Sequence, residues 1–145
     1  MQIKSRGYDK DTKQWYYGGY FKHQLYEICP VQFTDENAAD KEPKYEHYIV
    51  FDGVADWNME KPIKTATVDP KSVGIYIGRK DKTGKEIYSG DILRLSDKMV
   101  GVVLYREKSV EFIVLLSDES AMLCGVDFES TEIIGNTYQN IDLLI

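Results

Sequence analysis

Cysteine is nearly absent from this chain. The only two, Cys29 and Cys124, stand far apart with no C-x-x-C spacing, which excludes a disulfide framework and a dithiol redox motif. Histidine is as scarce. A four-ligand zinc site made of His23, His47, Cys29 and Cys124 would lack the close ligand pairs of structural zinc sites, since only His23 and Cys29 approach such a spacing. A buried thiol and surface imidazoles explain these residues better, so no metal is expected. Long apolar runs are missing too: Val100 to Tyr105 and Phe112 to Leu116 are the longest, against the roughly 20 residues of a membrane helix. No membrane span is expected. Met1 to Arg6 lead into alternating polar and aromatic residues without an apolar stretch, so the reading is no secretory signal and a cytoplasmic location.

A basic excess is also lacking. Lys and Arg number 18 against 24 Asp and Glu, a net charge of −6, which argues against a general phosphate binder whose affinity comes from counterion release. Locally the balance shifts: residues 71–106 carry +4 and residues 107–145 carry −7. Neutralisation between neighbouring strands accounts for this more simply than a basic patch that steers an anionic partner.

Catalytic signatures are absent as well. There is no G-x-S-x-G, no G-x-x-x-x-G-K-[ST] and no H-E-x-x-H, and nothing singles out a carboxylate pair among the acidic residues. No catalytic residue and no cofactor site is expected.

What is present is β-type punctuation in a chain of 145 residues, enough for one domain or two small ones with a core of their own. Ile3 to Arg6 alternates, Asp9 to Lys13 reads as a turn, and Trp15-Tyr16-Tyr17 resumes as an aromatic strand, which predicts a hairpin. Tyr20 to Ile28 fits either a strand or a short helix. Residues 34–46 hold five acidic side chains and almost nothing apolar, the composition of a mobile exposed loop. Asp52-Gly53 then suits a two-residue type I′ turn joining strands Tyr48 to Phe51 and Val54 to Trp57. Ile63 to Val68 is a further strand, closed by Asp69-Pro70, where the proline cannot continue a ladder.

Beyond Lys71 short strands follow at Gly74 to Arg79, Ile92 to Leu95, Met99 to Tyr105, Val110 to Leu116, Met122 to Gly125 and Glu132 to Ile134. This spacing is that of a small twisted barrel or sandwich. Between the first two of these strands lies Lys82-Thr83-Gly84-Lys85-Glu86-Ile87-Tyr88-Ser89-Gly90-Asp91. In it Gly84 suits a left-handed turn and Gly90 a sharp bend, while Asp91 can accept local backbone N–H groups. The role read from these three residues is structural.

The string Gly78 to Leu93 resembles the hallmark T-G-L-K-D-K-N-G-K-E-I-Y-E-G-D-I-V of the YopX-like family of phage and prophage proteins. Ile3 to Lys10 is similar to that family's opening I-K-F-R-A-W-D, and Ile133 to Asn140 to its closing V-I-G-N-I-Y-E-N. Departures fall at Ser5, Gly7-Tyr8, Ile77 and Ser89. The resemblance implies a β-rich protein whose C-terminal part is an SH3-like barrel and which assembles as a homo-oligomer; it implies no established activity.

Together these readings predict a mainly β protein. Residues 1–69 form an irregular strand-rich subdomain suited to oligomerisation, with the mobile acidic loop at 34–46, and residues 70–145 form a small SH3-like barrel. Arg79, Lys80, Lys82 and Lys85 around the tight turn are the candidate contacts for an anion or partner, and Tyr16 and Tyr20 the candidate outward-facing aromatics. The expected function is a non-enzymatic interaction or regulatory protein with an unidentified protein partner. A nucleic-acid-associated accessory role is the alternative and an uncharacterised enzyme comes third.

Overall fold

Short β-branched and aromatic stretches pair with their neighbours in sequence, and the outcome is two antiparallel sheets. The structure is a computed structural model and describes residues 2–25, 44–116, 121–122 and 126–144. The first sheet contains β1 (Ser5–Asp9), β2 (Gln14–Gln24), β3 (Tyr45–Asp52), β4 (Ile63–Thr67), β5 (Gly74–Lys80) and β6 (Glu86–Tyr88), in the order β4-β3-β2-β1-β5-β6. The second contains β7 (Asp91–Ser96), β8 (Met99–Arg106), β9 (Glu111–Leu116), β10 (Ala121–Met122) and β11 (Glu132–Asn136), in the order β10-β9-β8-β7-β11. Three single 3-10 turns, Pro70–Ser72, Phe128–Ser130 and Ile141–Leu144, are the only helical elements among the described residues. No helix there is long and apolar enough to cross a membrane.

The N-terminal hairpin forms as expected, one or two residues displaced. β1 and β2 pair from Asp9↔Gln14 to Ser5↔Gly18, and Asp9 Oδ1 accepts the amide of Asp11 inside the turn. The ambiguous Tyr20 to Ile28 segment is strand as far as Gln24. Residues 26–43, and with them most of the predicted acidic loop and Cys29, lie outside the described residues, as do Cys124 and the end of the Met122 to Gly125 strand. Tyr45 and Glu46, assigned to that loop, open β3 instead.

The predicted Asp52-Gly53 hairpin does not form. β3 pairs with β4, Ile49 opposite Ala66, and residues 53–62 make an irregular connection closed by the Gly53 amide on the Pro62 carbonyl at 2.7 Å. A two-residue turn would have set Asp56 opposite Ile49, which is completely buried, and so placed a carboxylate in the core. The observed register puts Ala66 there and leaves Val54 and Trp57 over nine-tenths exposed.

Residues 70–145 do not close into a barrel. β1 uses its second edge to pair with β5, Ser5 opposite Ile75, so β5 and β6 join the sheet of the N-terminal strands while β7 to β11 remain an open sheet. The main core sits between these layers: Ile87 from β6 packs with Leu93, Val103 and Val114 of the second sheet, with Ile77, Phe128 and Ile133 around them. Each such side chain contributes roughly 1.5–3 kcal/mol through burial.

Two carboxylates organise the connections. Asp81, at the end of β5, accepts the Thr83 and Lys85 amides and the Thr83 hydroxyl on Oδ1, and the Ile133 amide of β11 on Oδ2. Burial pushes its pKa up, but these hydrogen bonds outweigh it and the net shift is downward. Gly84 completes the turn at φ +85°. Asp69 accepts from the Lys71 amide at 3.1 Å and the Tyr138 hydroxyl at 2.8 Å, and pairs with Lys10 at 2.9 Å, which ties the N-terminal hairpin and the C-terminal segment to one carboxylate.

Asp81→Ala is expected to cost roughly 2–3 kcal/mol, because several part-buried donors lose their acceptor together, and Gly84→Ala about 1 kcal/mol. Urea midpoints measure both, and an unchanged midpoint for Asp81→Ala contradicts the account. The hydrogen bond from Lys10, helped by those from Tyr138 and Lys71, lowers the Asp69 pKa to about 2 from an ordinary 3.8, against the opposing effect of burial. A depressed folded-state pKa gives stability that is complete above the unfolded value and lost as pH falls through the folded one. The difference in thermal midpoint between the wild type and Asp69→Asn should therefore be constant above about pH 5 and shrink towards pH 2.

Candidate functional site

Three segments far apart in sequence meet at one cleft of about 790 Å³. Lys4 and Arg6 come from the N-terminal strand, Lys85, Glu86, Tyr88 and Asp91 from the turn-rich segment around β6, and Ile133 to Asn136 from β11; Trp15 and Tyr17 of β2 supply aromatic wall. These are the stretches that carry the opening, hallmark and closing strings.

An ion pair lies at the base of the cleft. Arg6 Nη2 stands 2.7 Å from Asp91 Oδ1, with the two side chains 10% and 2% exposed. The guanidinium lies over the rings of Trp15 and Tyr88, 4.8 and 5.0 Å from their centroids, a cation–π contact with each. Gly90 at φ +93° turns the chain so that Asp91 folds back and its Oδ2 accepts the Tyr88 amide at 2.8 Å. Burial raises the Asp91 pKa, and the charge of Arg6 and the Tyr88 hydrogen bond oppose that shift.

Around this base Lys4 pairs with Glu86 at 2.6 Å and lies 5.5 Å from the Tyr76 ring. The Tyr88 hydroxyl and Arg6 Nε have no hydrogen-bond partner among the described residues. Burial first, then the Glu86 charge, raises the Tyr88 pKa far above the ordinary phenol value, so this hydroxyl keeps its proton. Next to the cleft, Tyr8, Trp15 and Tyr138 form a ring cluster with centroids 5.3 to 6.1 Å apart, and Trp15 Nε1 donates to Gln139.

The basic residues singled out from sequence are distributed over three places. Lys85 lines the cleft; Arg79 and Lys80 line an adjoining depression with Gln2, Tyr76 and Glu86, the last shared with the cleft; Lys82 approaches Glu132 Oε2 at 3.4 Å, and Arg94 approaches the same oxygen at 3.9 Å. Tyr16 is half-buried, its ring 5.2 Å from Phe51, while Tyr20 is exposed and stacks on His47, to which its hydroxyl hydrogen-bonds. Tyr17 and Phe21, on the other face of β2, are more exposed still. Among the described residues no group of three or more His, Cys, Asp or Glu is placed to hold a metal ion.

Sequence reasoning passed over Arg6, Trp15 and Tyr88 as a unit. The signal available was Arg6 in the opening string together with Tyr88 and Asp91 in the hallmark, but an arginine near a strand end ordinarily reads as solvated.

Arg6→Met alone is expected to cost about 3–5 kcal/mol, because it leaves the Asp91 carboxylate buried and uncompensated. The Arg6→Met, Asp91→Asn double variant should cost clearly less than the two single changes added together. Chemical denaturation of the four proteins measures this, and strict additivity would mean the pair is uncoupled.

No curated protein matches the chain. The model of the YopX protein family matches residues 4–145, a span that takes in all three segments of the cleft, and the chain belongs to that family.

Proposed function

We propose that this protein is a phage- or prophage-derived, non-enzymatic interaction or regulatory protein that works in the cytoplasm of a host bacterial cell through protein contacts and self-association. One observation carries the reading: an exposed apolar row leaves the cleft along the odd-numbered face of β2 and one residue past its end. Tyr17 is 49% exposed, Phe21 54% and Leu25 47%, and a side chain at Gly19 would meet no atom within 4 Å. Contiguous exposed apolar surface of this kind marks contact sites, and a second copy of the same strand face is self-complementary about a twofold axis. The cleft itself fits recognition better than reaction, since Lys4, Arg6, Glu86 and Asp91 are bound to one another in ion pairs. On this reading the C-terminal part is an opened relative of an SH3-like barrel.

A nucleic-acid accessory role is the second reading, favoured by one feature. Lys82 and Arg94, each about half exposed, converge on the single carboxylate of Glu132, which leaves a small cationic excess there. Arg79 and Lys80 lie apart from it, so the excess is small.

Sedimentation over roughly 1 to 100 μM is expected to show a concentration-dependent rise above the monomer mass. Phe21→Ser combined with Leu25→Ser should weaken that association roughly tenfold or more. A wild-type protein that stays monomeric over the whole range removes self-association from the proposal.

A further inference from the structure

We propose that the cleft binds a carboxylate carried on an aromatic or otherwise apolar body. The charges on its lining define the ligand's charge. Lys4 and Arg6 are each paired with an acid, Glu86 and Asp91, at 2.6 and 2.7 Å, whereas Lys85 makes no ion pair among the described residues. The lining is thus one positive charge in excess. A ligand with a single negative charge balances it; a cation meets the excess, and a polyanion or phosphate dianion meets Glu86 and Asp91 with one free cation to compensate.

The hydrogen-bonding groups define the ligand's chemistry. Two donors in side chains about nine-tenths or more buried, the Tyr88 hydroxyl and Arg6 Nε, have no acceptor, and leaving such groups unpaired is unfavourable. Tyr88 lines the cleft, but its protonated hydroxyl is covered, so an acceptor oxygen reaches this unpaired donor only when neighbouring side chains shift. A carboxylate meets both demands, being anionic and acceptor-only at neutral pH.

The walls define the rest of the ligand. Trp15, Tyr17, Ile133 and Ile134 give the lining its apolar part, and about 790 Å³ lies within the range of small-molecule sites. The same chemistry is offered by a free aromatic or aliphatic acid and by the C-terminal carboxylate of a polypeptide with an apolar last residue. The proposal does not depend on self-association.

The chain has two tryptophans, and Trp57 is 91% exposed, so in a Trp57→Phe background the fluorescence reports Trp15 at the cleft wall. Titration with 3-phenylpropionate and with the N-acetylated tripeptide N-acetyl-Gly-Gly-Phe is expected to give a saturable change, with the matching amides, 3-phenylpropionamide and N-acetyl-Gly-Gly-Phe-amide, roughly tenfold weaker or more. Lys85→Gln should weaken acid binding roughly three- to tenfold and leave amide binding unchanged, whereas Tyr88→Phe should weaken acid binding by a similar factor and amide binding less, an amide oxygen being the weaker acceptor. Lys85 is exposed and Tyr88→Phe removes only an unpartnered hydroxyl, so thermal unfolding should show both variants folded. Binding of both acids supports the carboxylate site in general; binding of the tripeptide alone assigns it to a polypeptide terminus, and of 3-phenylpropionate alone to a small acid. Equal affinity for acids and amides, unchanged acid affinity in both variants, or no saturable response to either acid overturns the proposal.

Discussion

One buried ion pair ties the two sheets together beside the hydrophobic core they share. Arg6 belongs to β1 in the first sheet and Asp91 is the first residue of β7 in the second, so their contact joins the layers. A pair this deep is tolerated only when its remaining valences are met. Asp91 meets one with the Tyr88 amide, and the Arg6 guanidinium rests against two rings while its Nε keeps no acceptor; the residues involved are those that line the cleft. The site is therefore a consequence of how the layers are joined, and its shape is set by side chains that stability already constrains.

What was legible in the sequence was local. Gly84 and Gly90 do adopt positive φ, and Asp91 does accept a nearby amide, because turn chemistry is decided within a few residues. Strand positions followed from β-branched and aromatic runs for the same reason. The Asp52-Gly53 turn shows the limit: the dipeptide preference is worth little against the burial of Ile49, and the register that places Ala66 beside it wins although it needs an irregular connection of residues 53–62. Barrel closure was illegible because it turns on which strand takes the free edge of β1, a contact between residues some seventy positions apart that no local pattern encodes. The pairing of Arg6 with Asp91 was hidden in the same way.

Part of the charge asymmetry along the chain is resolved across strands. Arg94 of β7 lies opposite Glu132 of β11 in register, Lys82 approaches the same carboxylate, and Arg106 pairs with Glu111 at 2.7 Å across the β8–β9 hairpin. Three of the eight basic side chains of residues 71–106 thus find partners among the acidic residues that follow. Exposed pairs of this kind add little stability, so they shape the surface more than they hold the fold.

The segment from Gly84 to Asp91 combines two tasks that are usually separate. Its glycines and Asp91 bend the chain between β5 and β7, and the same bend brings Tyr88 over the guanidinium of Arg6 and Lys85 to the rim of the cleft. A substitution that relaxes the bend must move the ring and the rim together, since both hang on the Tyr88 amide held by Asp91. Side chains that only project from this scaffold are under no such constraint: the Lys85 ammonium and the Tyr88 hydroxyl take no part in the turn's hydrogen bonds or in the ion pair. Nothing in the folding of the chain calls for either group. That separates them from Gly90 and Asp91, which the bend itself requires.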